Sequence, residues 1–507
     1  MRTKKAIYNA ITSILLQLVT AVCGFILPSL MIRSFGSEAN GAVASIGQFL
    51  GYISLIESGV GGVARAALYG PLANKDTNKI SGIIVATEKF FRKIAGIFIV
   101  YALVIATIYP YITKSELDWV YTFVLVIIIA LATFAQYYFG ITYSVLLNAD
   151  QGLYIVNLVQ ILTTVLNTVI AVVLIHFGCS LHIVKLFSAF IFVVRPIVLG
   201  AVVKKKYKID GKVLPDNQAI KARWNGLGHH IAYFLHNNID IFLVSIVLGL
   251  KSVSVYSVYY MITSSINRVI SSVTGGVEAA FGNMIAQKER ETLDGNFRLI
   301  ETIASFLSVL FFSITLVLIF DFIKIYTAGV TDTEYYLPLF GVLIVVSEAL
   351  HCLKNVYHSV VLAAGHYKET QIGAFIEAGL NILFSVVAVF LWGLPGVIIG
   401  TIIATMYRMI DYSIYLRKNI LRRSIKVFLK RHVINILNFL LVVGVCYLVP
   451  FFQVSNYMMW FIKAIIVGVI ALVVTGLINC IFYKEDIKRF VDKLKGLIRK
   501  NGNTKGV

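Results

Sequence analysis

Residues 119–147 read WVYTFVLVIIIALATFAQYYFGITYSVLL, twenty-nine positions without one charged side chain. About 20 apolar residues as a helix cross a bilayer core of roughly 30 Å. In lipid every backbone polar group must bond within its own segment or within a closed barrel. Barrel strands alternate over only ~10 residues, so this run reads as a membrane helix. Similar stretches recur at 9–32, 41–64, 91–112, 152–177, 183–203, 228–249, 252–276, 298–320, 336–363, 371–392, 395–416, 433–452 and 458–482. With 119–147 they make about fourteen spans. The whole chain agrees: 58% of its residues are hydrophobic, 14% are charged and the mean hydropathy is +0.84. Soluble domains carry about 25% charged residues, and disorder needs low hydrophobicity, so both classes are excluded.

An oily chain with net charge +20 invites a nucleic-acid reading, and the position of the charges removes it. With the N-terminus inside, 35 of the 45 Lys and Arg fall in inward segments and 4 in outward loops. The other six are Lys185, Arg195, Arg268, Lys354, Arg408 and Lys463, within or at the edges of spans. This is the positive-inside pattern with both termini cytoplasmic. Met1–Lys5 before an apolar run mimics a signal peptide. The run continues past Gln17 to Met31, and Val22 before Cys23 is a poor cleavage position, so it is read as a retained first helix. The five cysteines are scattered, without CxxC or His-spaced pairs, so neither a disulfide framework nor a zinc site is indicated. No P-loop occurs; no metal or other cofactor is expected.

The loops are short and no linker rich in Pro or Ser separates domains. In 484–500, Ile487, Phe490, Val491, Leu494, Leu497 and Ile498 share a helical face opposite lysines. This basic amphipathic tail, like Arg417–His432, is expected on anionic inner-leaflet lipids. A weak internal repeat is visible at an offset of 213 or 214. The stretch 32–70, IRSFGSEANGAVASIGQFLGYISLIESGVGGVARAALYG, compares with 244–282, VSIVLGLKSVSVYSVYYMITSSINRVISSVTGGVEAAFG, where Gly36 matches Gly249 at an offset of 213 and Gly61-Gly62-Val63 match Gly275-Gly276-Val277 at 214. The expected fold is an all-α polytopic membrane protein. Two pseudo-symmetric six-helix lobes, 1–210 and 211–420, precede two C-terminal helices in 421–483 and a cytoplasmic tail, 484–507. Repeats around a midplane site are a common transporter plan.

The string FILPSLMIRSFGSEANGAVASIGQFLGYISLIESGVGG at 25–62, AALYGPLANKD at 66–76, and NNIDIFLVS and VSVYSVYYMI at 237–245 and 253–262 resemble Wzx-type polysaccharide flippases of the multidrug/oligosaccharidyl-lipid/polysaccharide exporter superfamily. The resemblance covers essentially the full length through diffuse motifs. It implies a two-lobed carrier in the bacterial cytoplasmic membrane that turns undecaprenyl-pyrophosphate-linked oligosaccharide from the inner to the outer leaflet. It also implies Na+ or H+ coupling and cooperation with polysaccharide polymerase machinery, in the assembly of a capsule, an O-antigen or another surface glycan.

The residues themselves support a wet, cationic interior. A charge at mid-span costs about 2.5–3.5 kcal/mol on insertion scales and so faces a cavity or a partner. Arg195 lies mid-way in the sixth span, Arg268 deep in the eighth and Lys354 in the centre of the tenth, on a stripe with Ser347, His351, Asn355 and His358. Further stripes are His229, Tyr233, His236 and Asp240 in span seven, and Asn157, Gln160, Thr164 and Asn167 in span five. Pyrophosphate suits Arg and Lys, and sugar hydroxyls suit Asn, His and Tyr. The expected substrate-binding residues are therefore Arg195, Arg268, Lys354, His351, Asn355 and Arg65. Asp240, Glu57, Glu348 and Glu377 are candidates for ion coupling, or for ion pairs that lock helices around those cations. Arg65 and Glu278, which follow the repeat's glycine pairs, are expected to meet in an inner gate. A drug exporter of the same superfamily is the main alternative. A membrane enzyme of polysaccharide assembly is disfavoured by short outer loops without clustered acid–base groups, so no catalytic residues are expected.

Overall fold

A computed structural model describes residues 2–57, 60–113, 115–221, 227–274, 277–287, 289–421, 423–489 and 491–492. Gly275, Gly276, the side chain of His229 and the tail beyond 492 lie outside the described residues. The described chain is all helical: α1 (Arg2–Gly51), α2 (Ser54–Glu57), α3 (Val60–Asn74), α4 (Thr77–Ile112), α5 (Trp119–Ala135), α6 (Ile141–Ala149), α7 (Leu153–His176), α8 (Leu181–Lys206), α9 (Leu227–Val247), α10 (Leu250–Thr274), α11 (Val277–Ala286), α12 (Arg290–Tyr326), α13 (Pro338–Ala363), α14 (Gln371–Trp392), α15 (Leu394–Asn419), α16 (Ile425–Leu448) and α17 (Tyr457–Phe482). A π-helical turn, Gln136–Gly140, joins α5 to α6.

Among the described residues, eleven helices are long and apolar enough to cross a membrane, with a shorter apolar helix at Ile231–Val247. All fourteen expected spans are occupied by helix, but three depart from the simple picture. The second is broken into the end of α1, α2 and α3. The seventh is the shorter apolar helix, and the eighth, α10, which is rich in Ser and Tyr, is not among the eleven. These are the spans that carry the repeat.

The helices are turned inside out relative to a soluble bundle. On α17, Thr475 and Asn479 are buried while Leu472 and Leu477 are exposed; on α16, Asn435 and Asn438 are buried while Leu437, Leu440 and Leu441 are exposed. Such a surface is stable against lipid tails, where association rests on close packing and interhelical hydrogen bonds. The pairing of α14 with α15 uses small residues in this way. A Cβ at Gly396 or Gly400 would overlap the Ala388 carbonyl or Ser385, so the bare glycines allow backbone contact.

The chain packs as two compact units. Unit 1 is Met1–Met261 with Gly329–Thr333, and unit 2 is Ile262–Ala328 with Glu334–Val507. In unit 1, α1 bends at Gly36, which has φ 86. Its repeat counterpart, Gly249, has φ +81. Both sit at the turn between successive spans in the left-handed region that glycine tolerates. The Ser37 N–H and hydroxyl, just past the first bend, donate to Asp332 at 2.6 and 2.7 Å. The second half of α1 then meets α9 and α10 along a polar seam. Asn40 donates to Ser254 at 2.8 Å, Ser45 and Ser245 bond at 2.7 Å, and Gln48 donates to Asn238. Asn40 and Ser254 lie four and five residues past Gly36 and Gly249, so the two copies of the repeat touch here.

Candidate functional site

In unit 1, Arg195 stands one residue before Pro196 on α8 and is half-buried. Its Nε donates to Thr163 Oγ1 at 2.5 Å and its Nη2 to Thr164 Oγ1 at 3.0 Å, both on α7. Its guanidinium lies 4.3 Å from the centroid of the Phe192 ring. Among the described residues no carboxylate pairs with it. Neutral hydroxyls and a ring face hold the group in place without cancelling its charge, which suits an anion anchor at membrane depth.

Glu57, at the end of α2, accepts a 2.8 Å hydrogen bond on Oε2 from the Tyr137 hydroxyl. Tyr137 belongs to the π-helical turn, a feature that often marks functional sites. Glu57 opens on a cavity of about 400 Å³ bordered by Ser54, Gly61, Gly62, Tyr233 and Phe234. Asp240 on α9 is buried and accepts from the Tyr256 hydroxyl at 3.2 Å. Arg65 is half-buried on α3.

Unit 2 holds a compact charge cluster. Lys354 on α13 donates to Glu377 Oε1 on α14 at 2.7 Å. Arg408 on α15 approaches Glu377 Oε2 at 3.4 Å and pairs with Asp411 at 2.6 Å. It also donates to the Thr370 carbonyl and the Tyr412 hydroxyl, each at 3.0 Å. The side chains of Lys354, Glu377 and Arg408 are only 3%, 8% and 1% exposed. Of the two readings of Lys354 in the sequence, ion pairing is the one this geometry displays. Glu348 accepts from Asn267 at 2.8 Å. Arg268 is exposed, with Nη2 donating to Ser265 Oγ at 2.9 Å. His351 and Asn355 are half-buried on α13, and Glu278 is exposed in the first turn of α11.

A second cluster was not singled out from the sequence. Glu301 on α12 is buried and meets Arg423 at 3.0 Å and Arg431 at 3.1 Å. Asp486, from the amphipathic tail, is 1% exposed and pairs with Arg298 and Arg431, each at 3.4 Å. The tail's first turns are therefore tied to α12 and α16 by buried ion pairs, beyond any hold on a lipid surface. No local pattern in the sequence marks Glu301 or Asp486, and only folding reveals that three arginines converge on them. Between α13, α15 and α16 runs an apolar cavity of about 550 Å³, whose border includes Leu350, Met409, Phe428, Ile436 and Leu440, with His432 and Asn435 among its few polar groups.

No family model and no curated protein matches the chain. Solved structures do. The lipid II flippase MurJ in an inward closed conformation matches with a TM-score of 0.69 at 15% identity, over 95% of this chain and 100% of that one. An inward-facing multidrug resistance MATE family transporter of the MOP superfamily matches with a TM-score of 0.62 at 15% identity, over 83% of this chain and 99% of its own. A MOP superfamily transporter from Pyrococcus furiosus, described as having a reversed binding-pocket polarity, matches with a TM-score of 0.55 at 16% identity, over 83% and 97%. Such identities carry the fold and leave the substrate open. The chain is a multi-pass membrane protein with the helical fold of MOP-superfamily transporters, shared with the flippase MurJ and the MATE transporters.

Proposed function

We propose that the protein flips undecaprenyl-pyrophosphate-linked oligosaccharide from the inner to the outer leaflet of a bacterial cytoplasmic membrane, by alternating access, for surface polysaccharide assembly. The observation that carries this reading is Arg195, a guanidinium at membrane depth that neutral groups position and, among the described residues, no carboxylate compensates. A pyrophosphate supplies the missing negative charge in bidentate form. Exposed Arg268 and half-buried Arg65 are the further cations this reading assigns to the anionic headgroup. Lys354 joins them only in a state in which its pair with Glu377 has opened; His351 and Asn355 flank it on the same helix. The prenyl chain needs an apolar path, and the cavity beside Leu350, Phe428 and Leu440 is suited to part of it. Asp240 and Glu348 are the coupling carboxylates of this reading, served by a Na+ or H+ gradient. The 1–210 and 211–420 lobes are its moving parts, whose separation breaks the hydrogen bonds that tie α9 and α10 to α1; Arg65 and Glu278 are its inner gate, and both termini are cytoplasmic. The glycan passes on to polymerase machinery for a capsule, an O-antigen or a related polymer. The MurJ likeness supports a lipid-linked cargo, since that protein is named for lipid II.

The test is turnover of lipid-linked oligosaccharide in proteoliposomes, read by an enzyme that reaches only the outer glycan. A charge-assisted hydrogen bond contributes about 1.5–3 kcal/mol, so Arg195→Ala should lower turnover by about 10-fold or more. Arg195→Lys, which keeps charge but loses the fork, should fall between. Wild-type turnover by Arg195→Glu overturns the reading.

A further inference from the structure

The cavity beside Glu57 has a composition that the anion anchor does not explain. It is bounded by a carboxylate, two consecutive glycines and two consecutive aromatic residues. Its volume, about 400 Å³, falls at the lower end of the roughly 300–1,000 Å³ range of small-molecule sites. We propose that this cavity is a saccharide subsite, in which Glu57 accepts sugar hydroxyls while Tyr233 and Phe234 pack against the ring's C–H face. The inference rests on the flippase reading and names where a sugar of its cargo sits.

The geometry supports each part. Among the described residues, the one hydrogen bond to the Glu57 carboxylate comes from Tyr137 to Oε2. Tyr137 is itself fixed, with its ring centroid 6.4 Å from that of Phe91 and 6.1 Å from that of Phe98. The carboxyl group is thus aimed by a neighbour packed between two rings and keeps acceptor capacity beyond that one hydrogen bond. The Phe234 ring stands edge-on to Tyr52 at 5.1 Å, interplanar angle 71°, which holds that part of the lining. The glycine pair has a steric role. A Cβ at Gly62 would meet nothing within 4 Å, and one at Gly61 would meet only a Val145 methyl at 3.9 Å. The space above both is therefore open, with backbone groups at its edge. A sugar ring is apolar on one face and hydroxylated around its rim. This cavity is lined by two aromatic residues, by Glu57 and by Ser54. An organic cation would use the same aromatic residues and is the competing occupant that the experiment separates from a sugar.

The experiment uses the full-length protein in lipid nanodiscs and follows its thermal unfolding. The added probes are the neutral methyl glycosides of hexoses, N-acetylhexosamines and 6-deoxyhexoses, together with hexuronic acid glycosides, inorganic pyrophosphate and the cation tetraphenylphosphonium. At least one glycoside is expected to give a saturable rise in Tm, because a ligand that binds only the folded state stabilises it. Its apparent affinity should fall at least tenfold in Tyr233→Ala, in Phe234→Ala and in Glu57→Gln, without loss of the unliganded fold. Arg195→Ala should leave glycoside binding unchanged and weaken pyrophosphate binding, which separates failure of this subsite from failure of the anion anchor. Three results overturn the proposal: no glycoside shifts Tm, the shift survives all three cavity substitutions, or tetraphenylphosphonium alone gives a Glu57-dependent shift.

Discussion

Replacing Glu377 with Gln tests whether the charge cluster of unit 2 is a structural lock. The carboxylate bonds Lys354 at 2.7 Å and faces Arg408 at 3.4 Å. The substitution keeps the volume and removes the charge. Arg408 retains Asp411 at 2.6 Å and the Thr370 carbonyl, so most of the penalty falls on Lys354, left 3% exposed without its carboxylate. Removing one partner of a buried pair costs about 3–5 kcal/mol, whereas replacing both partners with neutral groups of similar volume is often neutral. For a soluble domain of 150–250 residues each kcal/mol moves Tm by about 2–4 °C. A drop on the order of 10 °C is therefore expected for Glu377→Gln, measured by thermal unfolding in detergent and in nanodiscs. Lys354→Met combined with Glu377→Gln should recover most of it, because no charge is then stranded. Turnover by the double variant adds a second reading: retention means that Lys354 serves as a lock, and loss means that it also touches cargo. If Glu377→Gln unfolds like the wild type, or if the double variant is no more stable than the single, the lock reasoning is wrong.

Further tests address separate features. Asp332→Ala removes the acceptor of both Ser37 hydrogen bonds; hydrogen exchange should rise over residues 37–40, with a loss of about 1.5–3 kcal/mol for a charged acceptor. Gly396→Ala should weaken the α14–α15 pairing by about 1–3 kcal/mol as in other overpacked sites, because the new methyl collides with the Ala388 carbonyl; Gly379→Ala, with nothing within 4 Å, is the neutral control in unfolding assays. Burial alone would raise the pKa of Asp150, but hydrogen bonds from Lys206 and Tyr207 and the charge of Lys5 outweigh it and hold it below the ordinary 3.8. A depressed carboxylate stabilises the fold above its unfolded pKa and loses that contribution as pH falls through its folded one. Asp150→Asn should accordingly lower Tm at neutral pH, and the gap from wild type should close as the pH drops below 3.8.

Much of this organisation is legible in the primary structure, because lipid imposes rules that act locally. Each span must be long, apolar and helical, so runs such as 119–147 declare themselves, and the alternation of cation-rich and cation-poor loops, 35 against 4, carries the expected orientation. The glycines at 36 and 249 were visible as a repeat, and their shared positive φ follows from what only glycine tolerates. Arg195, too, could be named from its place in the sixth span. Its partners could not be read, because Thr163 and Thr164 lie on another helix. The same limit explains Lys354: one sequence allows either a free cation or an ion pair, and the choice depends on whether Glu377 of α14 faces α13. It explains Glu301 and Asp486, which lie 185 positions apart and gather three arginines. It explains the cavity beside Glu57, whose walls come from α2, α3 and α9. Composition and periodicity mark which segments are long and apolar enough to enter the membrane. The tertiary structure settles which buried charges are cancelled by a neighbouring helix and which remain open to a ligand. The physical reason is that the cost of a buried charge is local, while the group that offsets it is supplied across helices, at a distance along the chain that no local pattern records.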